Sequence, residues 1–405
     1  MTPEERVKRL KDFDRWTVNS VAPRGVVAKR RPQWIIPVVA GVATSVLAIA
    51  IVLGAVGLRS LPHLAPAETP TATPTAEPLG LRPATAFAFD CADLLTDAAV
   101  SAFLGVPVEA HDMVATNLAT QWQEMLGTYV VQAGGLACEW SNGEAMGAKD
   151  YAGFQVQLLP HGSDAFNAFG REGSVGCGGW ECYSQYATGT TWVESTLKGF
   201  ARQGDITKAE QNVEFQALHA TIDAVIAAAP PAADVPLGDG AGTYTQCAAV
   251  LDDATISSVV GEGLTGGGGP GGGEGIPFLH GEAHARIGAY TFCVYMADDS
   301  RYGPFITEMP GGAWIPITYA TTVDSADVGV GTEVQLDGLK DGESAYLHCR
   351  DETASCVMDL AVGGDWVRIA LPKSGTAKHG GGTSYNRPQP EVLADIAAAV
   401  IANRG

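Results

Sequence analysis

The residues able to do chemistry are few and scattered. His280, Glu282 and His284 form a His-Gly-Glu-Ala-His run. On a strand, alternate residues share one face, so these three could converge on a metal ion. The run borders a glycine-rich stretch and has no counterpart earlier in the chain, so it reads as a solvated loop and no metal is assigned. His348 beside Cys349 is a weaker case, because neighbours on a strand point to opposite faces. Asp252, Asp253, Asp298, Asp299, Asp337, Asp341 and Glu343 are plentiful carboxylates, and pairs of such groups run glycoside hydrolysis. Nothing in their spacing sets two across a cleft, and none follows the Asp-x-Asp-x-Asp-Gly pattern of calcium loops. There is no phosphate-binding Gly-x4-Gly-Lys-Ser/Thr, no Gly-x-Ser-x-Gly elbow and no His-Glu-x-x-His. No catalytic residue and no cofactor is therefore assigned.

The cysteines are more informative. There are eight, Cys91, Cys138, Cys177, Cys182, Cys247, Cys293, Cys349 and Cys356. Zinc sites want paired Cys-x2-4-Cys spacings, and only Cys177 and Cys182 fit one. A redox dithiol would be Cys-x2-Cys, which is absent. Disulfides are the better reading, with Cys177–Cys182 and Cys349–Cys356 closing strand-to-strand turns. Cys91–Cys138 and Cys247–Cys293 then remain. Disulfides require an oxidising compartment.

The elements that must hold these residues occur twice. Cys91-Ala-Asp-Leu-Leu-Thr-Asp-Ala-Ala-Val aligns with Cys247-Ala-Ala-Val-Leu-Asp-Asp-Ala-Thr-Ile. Thr96 and Asp252 are helix N-cap types, and Gly105 and Gly261 are helix stops. Cys91 to Cys138 is 47 residues and Cys247 to Cys293 is 46; Cys182 to Trp192 and Cys356 to Trp366 are both ten. An alanine-rich helix follows each tryptophan. Two tandem modules result, 89–229 and 241–405, with a hinge at 230–240 and a Gly-rich insertion at 263–275 in the second. Segments 152–159, 192–197, 288–296, 313–319 and 364–371 read as strands from their β-branched and aromatic residues. The expected fold is α+β: two disulfide-stapled modules, each an antiparallel sheet with helices on one face, plus one N-terminal transmembrane helix. Trp140, Trp192 and Trp366 are expected to pack in the core against the disulfides.

Cys91-Ala-Asp-Leu-Leu-Thr-Asp-Ala-Ala-Val, the later Cys138-Glu-Trp140 and the distal cysteine pair resemble an uncharacterised family of actinobacterial cell-envelope proteins, many of them lipoproteins. The first module carries the resemblance best, and the second reads Cys293-Val-Tyr295 instead. The resemblance implies an envelope location and no catalytic residues.

Charge and hydropathy place the chain. Residues 34–58 are almost wholly apolar, and about 20 such residues cross a bilayer core as a helix. The tail 1–33 holds nine Lys/Arg against four Asp/Glu, which the positive-inside rule places in the cytoplasm. Residues 59–88 are rich in Pro and Thr and read as an extended spacer. The expected location is the plasma membrane, single-pass, with the bulk of the chain extracytoplasmic. A formal net charge of −20 disfavours nucleic acid as a partner. The expected role is a non-catalytic module that binds an envelope protein or a small ligand. The alternatives are an extracytoplasmic hydrolase of envelope glycans and a transmembrane signalling relay.

Overall fold

Each module opens in the same way because the same local chemistry is written twice. A short helix α1 (Cys91–Leu94) leads into α2 (Asp97–Leu104), where the Thr96 side chain accepts from Ala99 N and Gly105 stops the helix in the left-handed region at φ +82°. In the second module α7 (Cys247–Val250) leads into α8 (Asp253–Val260), with Asp252 accepting from Thr255 N and Gly261 at φ +79°. A hydroxyl one turn from the end of each helix holds the exit loop: Ser101 Oγ takes Val108 N at 3.0 Å, and Ser257 Oγ takes Leu264 N at 2.9 Å.

The computed structural model describes residues 81–404, except 121–125, 145–147, 169–172, 179, 236–246, 268–278, 288–290, 299–300, 326–327, 351–355, 372–384 and 386. The first module continues with β1 (Glu109–Asp112), α3 (Met113–Thr120), α4 (Leu126–Gln132), β2 (Leu136–Ser141), β3 (Gly153–Leu159), α5 (Ser163–Ala168), β4 (Ser174–Gly178), β5 (Glu181–Thr188), β6 (Thr191–Leu197) and α6 (Lys208–Ala228). The second continues with β7 (Thr265–Gly267), α9 (Leu279–Ile287), β8 (Thr291–Met296), β9 (Tyr302–Met309), α10 (Trp314–Tyr319), β10 (Thr332–Val334), β11 (Ser344–Cys349), β12 (Cys356–Val362), β13 (Asp365–Ala370) and α11 (Gln389–Arg404). All strand pairings are antiparallel. The first sheet runs β1-β2-β3-β6-β5-β4 and the second β7-β8-β9-β13-β12-β11, with β10 added at its edge. The two topologies are the same.

Four disulfides staple this frame: Cys91–Cys138, Cys177–Cys182, Cys247–Cys293 and Cys349–Cys356. The first and third tie an opening helix to the second strand of its own sheet. The other two join residues directly opposed across a hairpin. Loop size ranks them, since closing 47 residues removes more unfolded-chain entropy than closing five. Replacing Cys91 and Cys138 by Ser is expected to cost about 4 kcal/mol, and replacing Cys177 and Cys182 about 2 kcal/mol. Denaturant unfolding without reductant checks this. A larger cost for the hairpin bridge would contradict the ranking.

The expected fold class needs correction on three counts. No helix among the described residues is long and apolar enough to cross a membrane. The apolar segment 34–58, the basic tail 1–33 and most of the spacer 59–88 lie outside the described residues, as do 236–240 of the hinge and 268–275 of the Gly-rich insertion. Of that insertion, Thr265–Gly267 is strand β7, paired with β8. Second, helices cover both faces of each sheet. In the first module one face carries Cys138, Trp140, Phe154, Val156 and Val193 against α2 and α6, with Phe215 and Ile222 fully buried. In the second the matching face carries Cys293, Tyr295, Ile306 and Ile369 against α8 and α11. Third, 313–319 is not a strand; Trp314–Tyr319 forms the helix α10. Pro316 falls in its first turn, where the missing N–H costs least.

The inner faces of the two sheets share a third core. It joins Val114 and Leu118 of α3, Tyr129 and Val130 of α4, and Trp192 of the first module to Leu279 and Ala283 of α9, Trp314 and Ile315 of α10, and Trp366 of the second. Trp192 and Trp366 thus pack here, on the face opposite the disulfides. When Cys138 is aligned with Cys293, Tyr129 aligns with His284, and these two rings meet edge-on with centroids 3.7 Å apart. Equivalent helices, α4 and α9, therefore meet at the seam, as in a self-complementary two-fold contact. Hydrogen bonds cross it: Trp314 Nε1 donates to Gln132 Oε1 at 2.8 Å, and Arg286 donates to the carbonyls of Pro160 and His161.

Candidate functional site

The inner faces also carry the buried polar groups. Asp359 on β12 stands directly opposite Arg368 on β13. Its carboxylate accepts from Arg368 Nε at 2.7 Å and from a terminal guanidinium nitrogen at 2.8 Å, and from Trp366 Nε1 at 2.8 Å. His348 on β11 places Nε2 at 3.1 Å from the other carboxylate oxygen, Oδ2, and Nδ1 at 3.3 Å from Gly329 O. All three charged or titratable side chains are buried, Asp359 at 2% exposure. Burial alone would raise the Asp359 pKa; the guanidinium and the imidazole outweigh it and hold the carboxyl below the usual range. Gly331 lies against the His348 ring, where a Cβ would approach it to 2.7 Å.

A cavity of about 20 Å³ adjoins this cluster. Its walls are apolar residues of α10 and its neighbours, with Leu118 contributed by the first module. Its polar end is Ser325, His348, Asp359 and Arg368. Ser325 Oγ is buried and has no hydrogen-bond partner among the described residues. A space of this size holds about one water-sized group. Tyr319, also on the wall, donates its hydroxyl to Asp112 of the first module, and Arg82 reaches the same carboxylate at 2.8 Å.

The first module fills the matching positions differently. With Trp192 aligned to Trp366, Glu194 takes the place of Arg368 and Gln185 that of Asp359. Glu194 accepts from Tyr183 OH at 3.1 Å and lies 3.9 Å from His280 Nδ1 of the second module. Nearby on the same face, Glu139 accepts from Gln155 Nε2 at 2.8 Å and Tyr151 OH at 3.2 Å, and burial raises its pKa.

A serine–histidine contact lies on the other face. Ser195 Oγ is 2.9 Å from His219 Nε2, and Tyr186 OH is 3.1 Å from Nδ1. That is nucleophile-to-base distance. Yet Ser195 is 1% exposed beneath α6, and the rings of Phe154 and Phe215 close over His219. Burial lowers the His219 pKa to about 4. The contact ties α6 to the sheet.

His280, Glu282 and His284 lie on the helix α9, neither in a solvated loop nor on a strand. His280 and His284 share its buried face, while Glu282 turns away to Arg286 at 2.8 Å. Among the described residues, no group of three His, Cys, Asp or Glu could hold a metal ion. Asp252 caps α8, Asp253 accepts from Gly266 N of β7 at 2.7 Å, and Glu343 accepts from Lys340 N and Gly363 N. Asp298, Asp337 and Asp341 are exposed, and Asp299 lies outside the described residues. Sequence reasoning missed Asp359, Arg368, Glu139 and Glu194. The available signal was a lone acid in the apolar run Cys356-Val-Met-Asp-Leu-Ala-Val and a lone base in Trp366-Val-Arg-Ile-Ala, two strands joined by a tight turn.

No family model matches the chain, and no curated protein or solved structure is significantly similar to it.

Proposed function

We propose that this is an extracytoplasmic, disulfide-stapled envelope protein that binds a small ligand group without turning it over, in the cavity beside Asp359, Arg368 and His348. The observation that carries the reading is the cavity's composition. It has apolar walls drawn from both modules and a buried hydroxyl, Ser325 Oγ, that has no hydrogen-bond partner among the described residues. Buried hydrogen-bonding groups without partners are costly, so a ligand or water that supplies one gains that energy. A binding role suits Asp359, whose charge is engaged by Arg368 and Trp366. The four disulfides support an oxidising location. The envelope family resemblance points the same way.

The glycan-hydrolase reading has one observation in its favour. Glu139 is a buried carboxyl with a raised pKa, as a general acid requires. Its hydrogen bonds to Gln155 and Tyr151 serve equally to fix the sheet face, so binding is preferred.

Native mass spectrometry of the full chain purified from its host tests the binding reading. The expected result is a retained ligand in the wild type, anchored by a water-sized group in the cavity, and its loss in Ser325→Leu, which fills that space. An unliganded wild type, or equal retention in both, would count against the reading.

A further inference from the structure

We propose that the seam between the two modules is an acid-operated closure, with α9 as its moving part and His280 and His284 as its proton sensors. The two histidines sit one helical turn apart on the same face of α9. That face is pressed against the first module and buries both rings. His280 Nε2 donates to Gln157 Oε1 of β3 at 2.9 Å. His284 meets the Tyr129 ring of α4. The apolar residues Leu279, Ala283 and Ile287 complete the contact.

The surroundings favour the uncharged rings. The facing groups are Glu194 on β6, Lys198 just beyond the end of β6, and Tyr129 on α4. On α9 itself, Glu282 and Arg286 pair with each other. Glu194 could attract a protonated His280, but it already accepts from Tyr183, and Lys198 opposes the charge. Protonating both rings sets two cations at i and i+4, which repel. Burial lowers the His280 pKa to about 4, with Lys198 adding to the effect. Burial lowers that of His284 to about 3, with His280 adding.

The sign follows from linkage. A folded-state pKa below the ordinary 6.5 means that the closed seam is fully favoured above pH 6.5 and loses that advantage as pH falls. Between pH 7.5 and 4.5 the opening constant should rise roughly 100-fold for each histidine that becomes hydrated. The seam should yield before the rest, because both outer cores lie on the far faces of their sheets, where Cys91–Cys138 and Cys247–Cys293 bridge them. His219 is also buried and neutral, but it sits in the outer core of the first module and so provides a control.

Hydrogen–deuterium exchange of the full chain at pH 7.5 and 4.5, corrected for intrinsic rates, tests the proposal. The amides of α4 and α9 should lose at least 100-fold more protection on acidification than those of β3, β6, β9 and β13. His280→Gln/His284→Phe should remove that excess, and His219→Phe should leave it. If the double variant does not fold, each single variant should remove part of the excess. Equal losses at seam and strands, an excess that survives the histidine variants, or an excess abolished by His219→Phe would overturn the proposal.

Discussion

Asp359→Asn should destabilise the protein by about 3–5 kcal/mol, which is the usual cost of stranding one partner of a buried ion pair. The Arg368 side chain is only 8% exposed, and both of its short contacts to Asp359 depend on the carboxylate charge. An amide keeps the shape but can accept through only one oxygen, so part of the guanidinium would be left facing the N–H donors of the amide. Trp366 Nε1 and His348 Nε2 face the same group and would compete for that oxygen. Asp359→Leu/Arg368→Met should recover most of the loss, since removing both charges avoids the stranded one. Denaturant unfolding at pH 7 provides the comparison. A cost below about 1 kcal/mol for Asp359→Asn, with no rescue in the double variant, would show that the pair is solvated. The wild-type contribution should also depend on pH. The folded pKa lies below the ordinary value, so the stabilisation is present above about pH 4 and fades as the carboxyl is protonated at lower pH.

Trp314→Ala should cost about 3–5 kcal/mol, the usual range for emptying a large aromatic from a core. Trp314 is fully buried, and its neighbours come from both modules. Its indole N–H donates across the seam to Gln132, and Arg82 lies 5.5 Å above its ring. The loss should therefore appear as weakened association of the modules as well as lower stability. Denaturant unfolding gives the free energy, and limited proteolysis should show faster cleavage between the modules. A cost under about 1 kcal/mol, or unchanged proteolysis, would mean the seam does not depend on this contact.

The features legible in the sequence were those set by local chemistry or covalent spacing. The caps at Thr96 and Asp252, the stops at Gly105 and Gly261, and the paired cysteine spacings all act within one module. Each opening helix follows from residues that are neighbours in the chain, and each module's disulfides from cysteine spacings repeated between the modules. What was not legible depends on the other module. Trp314-Ile-Pro-Ile-Thr-Tyr has strand-like composition but is helical, because its buried surroundings outweigh a modest propensity. The run from His280 to His284 reads as a solvated loop from sequence; the two histidines lie one turn apart on a helix, with His280 buried against Gln157, 123 residues away. The charges at Asp359 and Arg368 were visible as residues. Their pairing depends on the register of β12 against β13, and their burial on the helices that cover that face. The candidate cavity was equally hidden, since Leu118 of one module closes a pocket built mostly by the other.

The two modules share one core, and the polar cluster lies within it. Scanning calorimetry of the full chain at pH 7.5, disulfides intact, distinguishes a shared core from two separate ones. A shared core predicts one cooperative transition for the two modules, with calorimetric and van't Hoff enthalpies in agreement. Trp314→Ala should split or broaden that transition. Two well-separated transitions in the wild type, one for each module and both unmoved by Trp314→Ala, would show that the modules fold around separate cores.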